Sequence, residues 1–253
     1  MPDIRHRRAL VNPELRRRGI YILPNLFTTA ALFAGFYAIV QAMNQSFEQA
    51  AVAIFIAMVM DGLDGRVARM TGTQSAFGAE YDSLSDMVSF GVAPALVAYE
   101  WALKGLGKWG WIAAFIYCVG AALRLARFNT NIDVVDKRYF QGLPSPAAAA
   151  LVAGLVWVLL DNGWSGTDAR WYTFTLTIFA GLTMVSNVLY YSGKSINLRK
   201  SVPFIFVAGI ALGFALISSY PPGVLFGLFL CYALSGYVLT VIGWFSRKPT
   251  TPR

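Results

Sequence analysis

Four aspartates lie close together in an otherwise largely apolar chain. They are Asp61, Asp64, Asp82 and Asp86. Like charges at short range repel one another, so converging carboxylates must be balanced by protons or by cations. The chain has a single histidine, His6, far from these acids, and both cysteines lie in apolar stretches. Oxygen ligands without His or Cys favour Mg²⁺ or Mn²⁺ over zinc or copper, and magnesium keeps coordination positions for substrate phosphates. The four acids therefore indicate phosphate chemistry.

The first pair of acids is expected on one helical stripe. Asp61, Asp64, Gly65 and Ala68 are spaced at i, i+3, i+4 and i+7, which places them on the same face of a helix. Two acids are thus followed by two positions with almost no side chain. Such positions leave room for a ligand or for a close helix neighbour.

The second pair is expected on the next helix. Asp82 and Asp86 are four residues apart and share a face, with Ser85 and Ser89 beside them. Gly78, four residues before Asp82, would allow a tight entry into this helix. Two neighbouring helices could therefore direct four carboxylates into one cleft.

The elements that carry these acids are predicted to be membrane spans. The chain has 253 residues, of which 57% are hydrophobic and 13% are charged. That apolar share exceeds the roughly 45–50% of an ordinary soluble domain. Eight apolar stretches approach the length of about 20 residues that a bilayer-spanning helix needs. These stretches are residues 24–43, 47–69, 82–103, 109–128, 145–161, 171–191, 202–219 and 222–245. The sequence therefore predicts an all-α membrane bundle of about eight transmembrane helices.

The basic residues predict the orientation of the bundle. With the N-terminus inside, cytosolic segments hold all of the 21 Lys and Arg residues except Lys104, Lys108 and Arg170. This bias is the one that the positive-inside rule requires. Both termini and the acids then lie at the cytosolic side of an integral membrane protein. The formal net charge of +8 is scattered over loop ends and forms no basic patch, so we expect contact with membrane lipid and no nucleic acid.

Two other interpretations of the acids remain open at this level. Arg66 and Arg69 could pair with them to form an ion-pair lock within the membrane. Alternatively, the acids could line an ion or proton path, as in a small cation transporter. The later half of the chain contains no second copy of the acidic motif, which weighs against the inverted halves that many transporters show.

The order of the residues resembles a known signature. The segment from Asp61 to Asp86 fits D-x2-D-G-x2-A-R-x8-G-x3-D-x3-D without departure, and this pattern resembles that of the CDP-alcohol phosphatidyltransferase family. Four further stretches resemble the multi-span members of the family that act on serine. They read LPNLFTTAAL, RLARFN, YFQGLPSPAAAA and MVSNVLYYSGKS.

The resemblance implies a fold, a location and a reaction. A core of six helices surrounds a polar cavity that opens to the cytosol, in a homodimer in a bacterial inner membrane. The chain would then divide into a basic arm (1–23), the family core (24–201), two additional helices (202–245) and a tail (246–253). The implied reaction transfers the phosphatidyl group of CDP-diacylglycerol to L-serine and releases CMP. Within the family, glycerol 3-phosphate or inositol phosphate is the alternative acceptor.

The resemblance also implies roles for particular residues. Mg²⁺ or Mn²⁺ would be held by Asp61, Asp64, Asp82 and Asp86, and Asp86 is also the candidate base for the serine hydroxyl. The residues expected to bind the CDP group are Asn25, Thr28, Asp61, Gly65, Ala68, Arg69 and Gly78. The residues expected to bind the acceptor are Arg124, Arg127, Asn129 and Lys194. A guanidinium group is well shaped to hold the carboxylate of an amino acid.

Overall fold

A computed structural model describes residues 13–130, 139–191 and 204–245. The helices of these ranges are α1 (Pro13–Met43), α2 (Phe47–Thr71), α3 (Ala76–Asp86), α4 (Ala93–Trp101), α5 (Lys108–Thr130), α6 (Ser145–Asp161), α7 (Gly166–Val185), α8 (Phe204–Ser219) and α9 (Pro221–Phe245). A π-helical turn (Met87–Val92) joins α3 to α4, and a 3₁₀ turn (Leu103–Leu106) follows α4. Strands β1 (Tyr139–Gln141) and β2 (Leu189–Tyr191) pair antiparallel, with Phe140 opposite Tyr190.

The structure confirms the prediction of an all-α membrane protein. Three helical segments of the described ranges are long and apolar enough to cross a bilayer: Pro24–Met43, Lys108–Thr130 and Pro221–Ile242. Helix α6 is apolar but shorter. Helix α2 is long enough, with 25 residues, but its second half carries acids and arginines. The arrangement of eight spans therefore stays a prediction, as do the domain boundaries.

Small residues bring α1 and α2 close together. Buried alanines on both helices form one end of the core, among them Ala34 and Ala38 of α1 and Ala50 and Ala57 of α2. Without long side chains between them, the two backbones can approach closely, as is common between helices in membranes. Large apolar side chains on the outer faces remain exposed, and Phe33 of α1 is 68% exposed. This distribution is typical of helices that face lipid.

The predicted third span is a continuous helix with a π-helical turn in its middle. The backbone N–H of Ala93 donates to the carbonyl of Val88, five residues earlier, which is the π-helical pattern. Pro94 follows, and its missing N–H cannot bond the carbonyl of Phe90. The buried hydroxyl of Tyr117 on α5 donates to that carbonyl at 2.9 Å instead. The Phe90 carbonyl therefore has a hydrogen-bond partner within the core, although Pro94 cannot supply one.

Two hydrogen bonds connect this span to helix α1. The hydroxyl of Ser85 donates to the carbonyl of Thr28 at 3.1 Å, and that of Ser89 donates to the carbonyl of Ala31 at 3.0 Å. Gly35 permits the close approach, because a Cβ at that position would lie 2.5 Å from the Ser89 hydroxyl oxygen. The two serines beside the acids thus tie the acid-bearing span to α1.

Two of the predicted spans, the third and the sixth, differ in their bounds from the helices of the structure. The third span was expected to begin at residue 82, but α3 begins at Ala76 because the Ser75 hydroxyl caps the helix by accepting from the N–H of Gly78. Gly78 therefore lies inside the first turn of a helix and not in a loop. The sixth span was expected at 171–191, but α7 ends at Val185, and the chain then becomes extended and forms β2.

Candidate functional site

A short connection brings the two pairs of acids together. Helix α2 ends at Gly72, whose φ of 66° is in the left-handed region that glycine tolerates. Only residues 72–75 separate α2 from α3, so the adjoining ends of the two helices must lie close together, although α3 packs mainly against α1. Asp64 lies eight residues before Gly72, and Asp82 lies seven residues after Ser75. At 1.5 Å per residue, both acids are about 10–12 Å from the connection, and so at a similar depth.

Three of the four carboxylates converge on one point. One oxygen from each of Asp61, Asp64 and Asp82 lies within 4.8 Å of the others. Oxygens that share one octahedral Mg²⁺ at about 2.0–2.1 Å are roughly 3–4 Å apart, so small side-chain movements would complete such a site. Asp86 is outside this group of three, but its carboxyl group adjoins that of Asp61. We call Asp61, Asp64 and Asp82 the acidic cluster.

The hydrogen bonding of the acidic cluster fits a bound cation. Asp64 is 5% exposed, and its Oδ2 accepts a hydrogen bond of 2.8 Å from the hydroxyl of Thr28. Asp82 Oδ1 is buried and has no hydrogen-bond partner in the part of the chain that the structure describes. A buried carboxylate oxygen without a partner is costly unless a cation or proton satisfies it. The donor set therefore fits a hard divalent cation.

The alternative of an ion-pair lock finds no support in the geometry. Within the described ranges, the ion pair that the structure shows is Lys104 with Glu100 at 2.9 Å, and none joins Arg66 or Arg69 to the acids. Arg69 lies nearby, and its guanidinium nitrogen is 3.4 Å from the position of a Cβ built on Gly65. The acids are thus not neutralised by direct pairing with these two arginines.

A cavity of about 240 Å³ adjoins the acidic cluster between α1, α2 and α3. Six of the seven residues predicted to bind the CDP group line it, namely Asn25, Thr28, Gly65, Ala68, Arg69 and Gly78. The seventh, Asp61, belongs to the acidic cluster and does not line the cavity. We call this space the α1–α3 cavity.

Sequence reasoning missed the connection that forms one wall of this cavity. Thr73, Gln74 and Ser75 line it together with the first turn of α3. Serine is a residue type that commonly caps the N-terminus of a helix, so Ser75 could have been considered as a helix start. The cavity therefore faces the N-terminal end of a helix, where backbone N–H groups favour anions.

Three of the four predicted acceptor residues, Arg124, Arg127 and Asn129, lie in the last two turns of α5. Arg124 is 9% exposed, and its Nη1 donates to the hydroxyl of Ser145 at 2.9 Å. Its Nε is buried and has no hydrogen-bond partner among the described residues. The guanidinium group also interacts electrostatically with Asp61 and Asp86. A buried cation with one free donor thus lies within electrostatic range of Asp61 and Asp86.

Arg127 and Asn129 are held by hydrogen bonds to neighbouring segments. Arg127 Nη1 donates to the carbonyl of Ser186 at 3.3 Å and to Asn187 Oδ1 at 3.4 Å, on the segment after α7. Asn129 Nδ2 donates to the hydroxyl of Ser83 at 2.9 Å, next to Asp82 in sequence. Lys194 lies outside the described residues. Arg127 and Asn129 therefore connect α5 to its neighbours at the same end of the bundle.

Sequence reasoning also missed two residues around Arg124. Ser145 begins α6 and is fully buried. Tyr232 of α9 interacts electrostatically with Arg124, and its hydroxyl donates to the carbonyl of Tyr191 at 3.3 Å. Tyr190 anchors α9 further, because its hydroxyl donates to the carbonyl of Ala233 at 2.8 Å. Neither neighbour of Arg124 follows from local spacing, since each comes from a distant part of the chain.

Comparisons with known proteins show the family of the chain. The sequence profile of the CDP-alcohol phosphatidyltransferase family matches residues 21–186. The chain is 36% identical over 228 residues to the CDP-diacylglycerol–serine O-phosphatidyltransferase of Helicobacter pylori, over 88% of this chain and 94% of that protein. It is 37% identical over 194 residues to the protein of the same name from Methanocaldococcus jannaschii, over 75% and 83% of the two chains. With that of Mycobacterium leprae it shares 33% identity over 226 residues, which cover 87% of this chain and 75% of the relative.

Proposed function

Because the chain belongs to the CDP-alcohol phosphatidyltransferase family, we propose that it transfers the phosphatidyl group of CDP-diacylglycerol to the hydroxyl of L-serine, which gives phosphatidylserine and CMP. One observation carries this proposal. Three carboxylate oxygens within 4.8 Å of one another adjoin a cavity lined by the motif residues Gly65, Ala68 and Arg69. That combination suits a ligand with a pyrophosphate group better than an ion path, which needs no cavity of this size.

The α1–α3 cavity would hold the cytidine and its pyrophosphate. Gly65 and Ala68 leave space, and Arg69 supplies a cation at the cavity wall. The first turn of α3 adds the positive end of a helix dipole. A divalent cation held by the acidic cluster would neutralise phosphate charge and the charge that develops on the departing CMP. The lipid-soluble and water-soluble ends of the donor would thus meet at the membrane boundary.

Asp86 and Arg124 would act on the acceptor. The serine oxygen forms a bond to the phosphorus that bears the diacylglycerol, and the bond from that phosphorus to CMP breaks. Asp86, which adjoins the acidic cluster, accepts the hydroxyl proton. Arg124, with Nε free and Nη1 held by Ser145, binds the serine carboxylate. Electrostatic attraction between Arg124 and Asp86 keeps the two groups in the same part of the site.

Release of CMP by the purified protein tests the proposal. With CDP-diacylglycerol and Mg²⁺ or Mn²⁺ in detergent, we expect CMP with L-serine and only background release with glycerol 3-phosphate or inositol phosphate. A chelator should abolish release, and added Mn²⁺ should restore it. Faster release with either phosphorylated alcohol would assign a different acceptor. No CMP with any acceptor, together with cation uptake by vesicles that contain the protein, would favour the transporter.

Arg124→Lys is expected to raise the KM for serine by about 10–100-fold, while the KM for the donor changes little. A hydrogen bond to a charged group contributes about 1.5–3 kcal/mol, and a lysine cannot reproduce the planar fork of the guanidinium group. Arg170→Lys is the matched control, because Arg170 is exposed near the start of α7 and is not among the predicted site residues. Steady-state kinetics with each substrate varied separately measures both constants. Equal rises for both variants would mean that Arg124 has no special part in binding serine.

A further inference from the structure

A fully buried hydroxyl group lies beside Arg124 at the start of α6. The hydroxyl oxygen of Ser145 accepts a hydrogen bond of 2.9 Å from Nη1 of Arg124. Ser145 is 0% exposed, and Arg124 is 9% exposed. Burial of a charged group is costly unless its donors have partners, and Ser145 supplies one of them.

This contact engages one part of the guanidinium group and leaves another part unused. A carboxylate can accept two parallel hydrogen bonds from an arginine, either from Nη1 and Nη2 or from Nε and Nη2. Within the described ranges, the hydrogen bond that the structure shows for the guanidinium group of Arg124 is the one from Nη1 to Ser145. Nε is buried and has no partner there. The edge formed by Nε and Nη2 is therefore the one that remains for a carboxylate.

Backbone contacts fix the turn that leads into α6. The N–H of Gly142 donates to the carbonyl of Val188 at 2.8 Å, and the N–H of Leu143 donates to the carbonyl of Thr183 at 3.1 Å. Gly142 has a φ of 79°, and a Cβ at that position would collide with the carbonyl oxygen of Met184. Glycine is the residue that tolerates both this φ and this close approach. The start of α6 is therefore held in place by the end of α7.

The segment after α7 also holds the next arginine of α5. Arg127, three residues after Arg124, donates to the carbonyl of Ser186 at 3.3 Å. Ser186 lies between Thr183 and Val188, the two residues that accept from the turn before α6. Both arginines are thus bonded to one backbone unit, which consists of the segments that leave α7 and enter α6. Of the two, Arg124 is the one that interacts electrostatically with the acids.

We infer that Ser145 is a positioning residue, which holds Nη1 of Arg124 so that the Nε–Nη2 edge of the guanidinium group receives the carboxylate of the acceptor. This inference rests on the proposed function, because it takes an amino acid as the acceptor. Ser145 does not touch the substrate and acts only through Arg124. Without Ser145, the long side chain of Arg124 has more orientations, and binding must first restore the productive one. The expected loss is therefore in the affinity for L-serine and not in kcat.

Three substitutions separate this role from simple packing. Ser145→Ala removes the hydroxyl group. Ser145→Cys nearly keeps the size of the side chain but replaces the hydroxyl oxygen by sulfur, which is a weak acceptor. Thr173→Val is the matched control, because Thr173 is also fully buried and its hydroxyl donates at 3.0 Å to the carbonyl of Ala169 within its own helix. Each variant is compared with the parent protein in the same detergent.

We expect Ser145→Ala and Ser145→Cys each to raise the KM for L-serine about tenfold, near the lower end of what one hydrogen bond to a charged group contributes. The kcat, the KM for the donor and the affinity for Mn²⁺ should stay within twofold of the parent values. All constants of Thr173→Val should do the same. A normal KM for L-serine in Ser145→Cys would mean that packing explains any effect of Ser145→Ala, and it would overturn the inference. An equal change in the KM for the donor would overturn it too.

A double-mutant cycle tests whether Ser145 acts through Arg124. The ammonium group of Arg124→Lys has no planar edge to orient, so the further substitution Ser145→Ala should raise the KM for L-serine by less than twofold. Serinol, which has a hydroxymethyl group in place of the carboxylate, is the matched ligand. Its inhibition constant against L-serine should agree within twofold between the parent and Ser145→Ala. A full tenfold effect in the Arg124→Lys protein, or tenfold weaker inhibition by serinol, would contradict the inference.

CMP release by the parent protein distinguishes failure of the proposed function from failure of this inference. Release with L-serine, together with normal constants in Ser145→Ala and Ser145→Cys, would reject the inference alone. If the parent releases no CMP, the proposed function fails, and equilibrium binding of radiolabelled L-serine then decides the role of Ser145. Binding by the parent that is about tenfold weaker in Ser145→Ala would support that role. Equal binding by the two proteins, or no binding by the parent, would reject it.

Discussion

Asp64→Asn is expected to reduce CMP release by about a thousandfold or more. Asp64 is the most deeply buried member of the acidic cluster, and Thr28 fixes its orientation by a hydrogen bond of 2.8 Å. An amide removes one negative charge and can direct an N–H group at the place where the cation would bind. A bound metal contributes several kcal/mol to such a transfer, and about 4 kcal/mol corresponds to a factor of a thousand. The loss should appear at saturating donor and serine concentrations.

Binding of Mn²⁺, followed by electron paramagnetic resonance, provides a readout for this variant that does not depend on turnover. Asp64→Asn should weaken Mn²⁺ binding strongly. Asp161→Asn is the control, because Asp161 is an exposed acid at the end of α6 and is not part of the acidic cluster. It should leave both binding and CMP release unchanged. Normal Mn²⁺ binding by Asp64→Asn would show that the acidic cluster is not the metal site.

Asp86→Asn should lower kcat by about 10²–10⁴-fold, the usual contribution of a general base. In contrast to Asp64, this residue stands outside the three oxygens that converge, although it adjoins Asp61. We therefore expect the KM for the donor and the affinity for Mn²⁺ to change much less than kcat does. Comparison of kcat, KM and Mn²⁺ binding in one preparation makes this distinction.

The matched control for Asp86 is Glu80→Gln, since Glu80 is an exposed acid on the same helix. It should retain the activity of the parent protein. Near-normal turnover by Asp86→Asn would reject the role as base. A parallel loss of turnover and Mn²⁺ affinity would instead make Asp86 a fourth metal ligand. As the base, Asp86 should affect mainly kcat, whereas as a metal ligand it should affect both kcat and the affinity for Mn²⁺.

The positions of the acids on their helices could be predicted from the sequence because helical spacing is a local property. Of the predicted stripe Asp61, Asp64, Gly65 and Ala68, the last three line one cavity, whereas Asp61 lies in the acidic cluster outside it. The sequence also predicts that the acids of α2 and α3 come close together, because only residues 72–75 connect the two helices. The functional roles of these residues stay predictions until the variants are measured.

Other parts of the site depend on contacts between distant segments and could not be predicted in this way. Ser145 meets Arg124 across 21 positions of the chain, and Tyr232 reaches it from a helix beyond the stretch matched by the family profile. The early start of α3 could have been predicted, because Ser75 is a strong capping residue. Strands β1 and β2 have three residues each, and such short segments have too weak a sequence pattern to predict that they pair.

The π-helical turn at Met87–Val92 makes the number of residues in its span critical. One residue fewer would allow the turn to close as an ordinary α-helix. A residue inserted into the flanking α-helix has no such wide turn to take it up, and at about 100° per residue it would rotate the acid-bearing half of the span relative to α4 by that angle. Asp82 and Asp86 would then turn away from α2, although no acid had been replaced. Substitutions here are therefore far easier to tolerate than insertions.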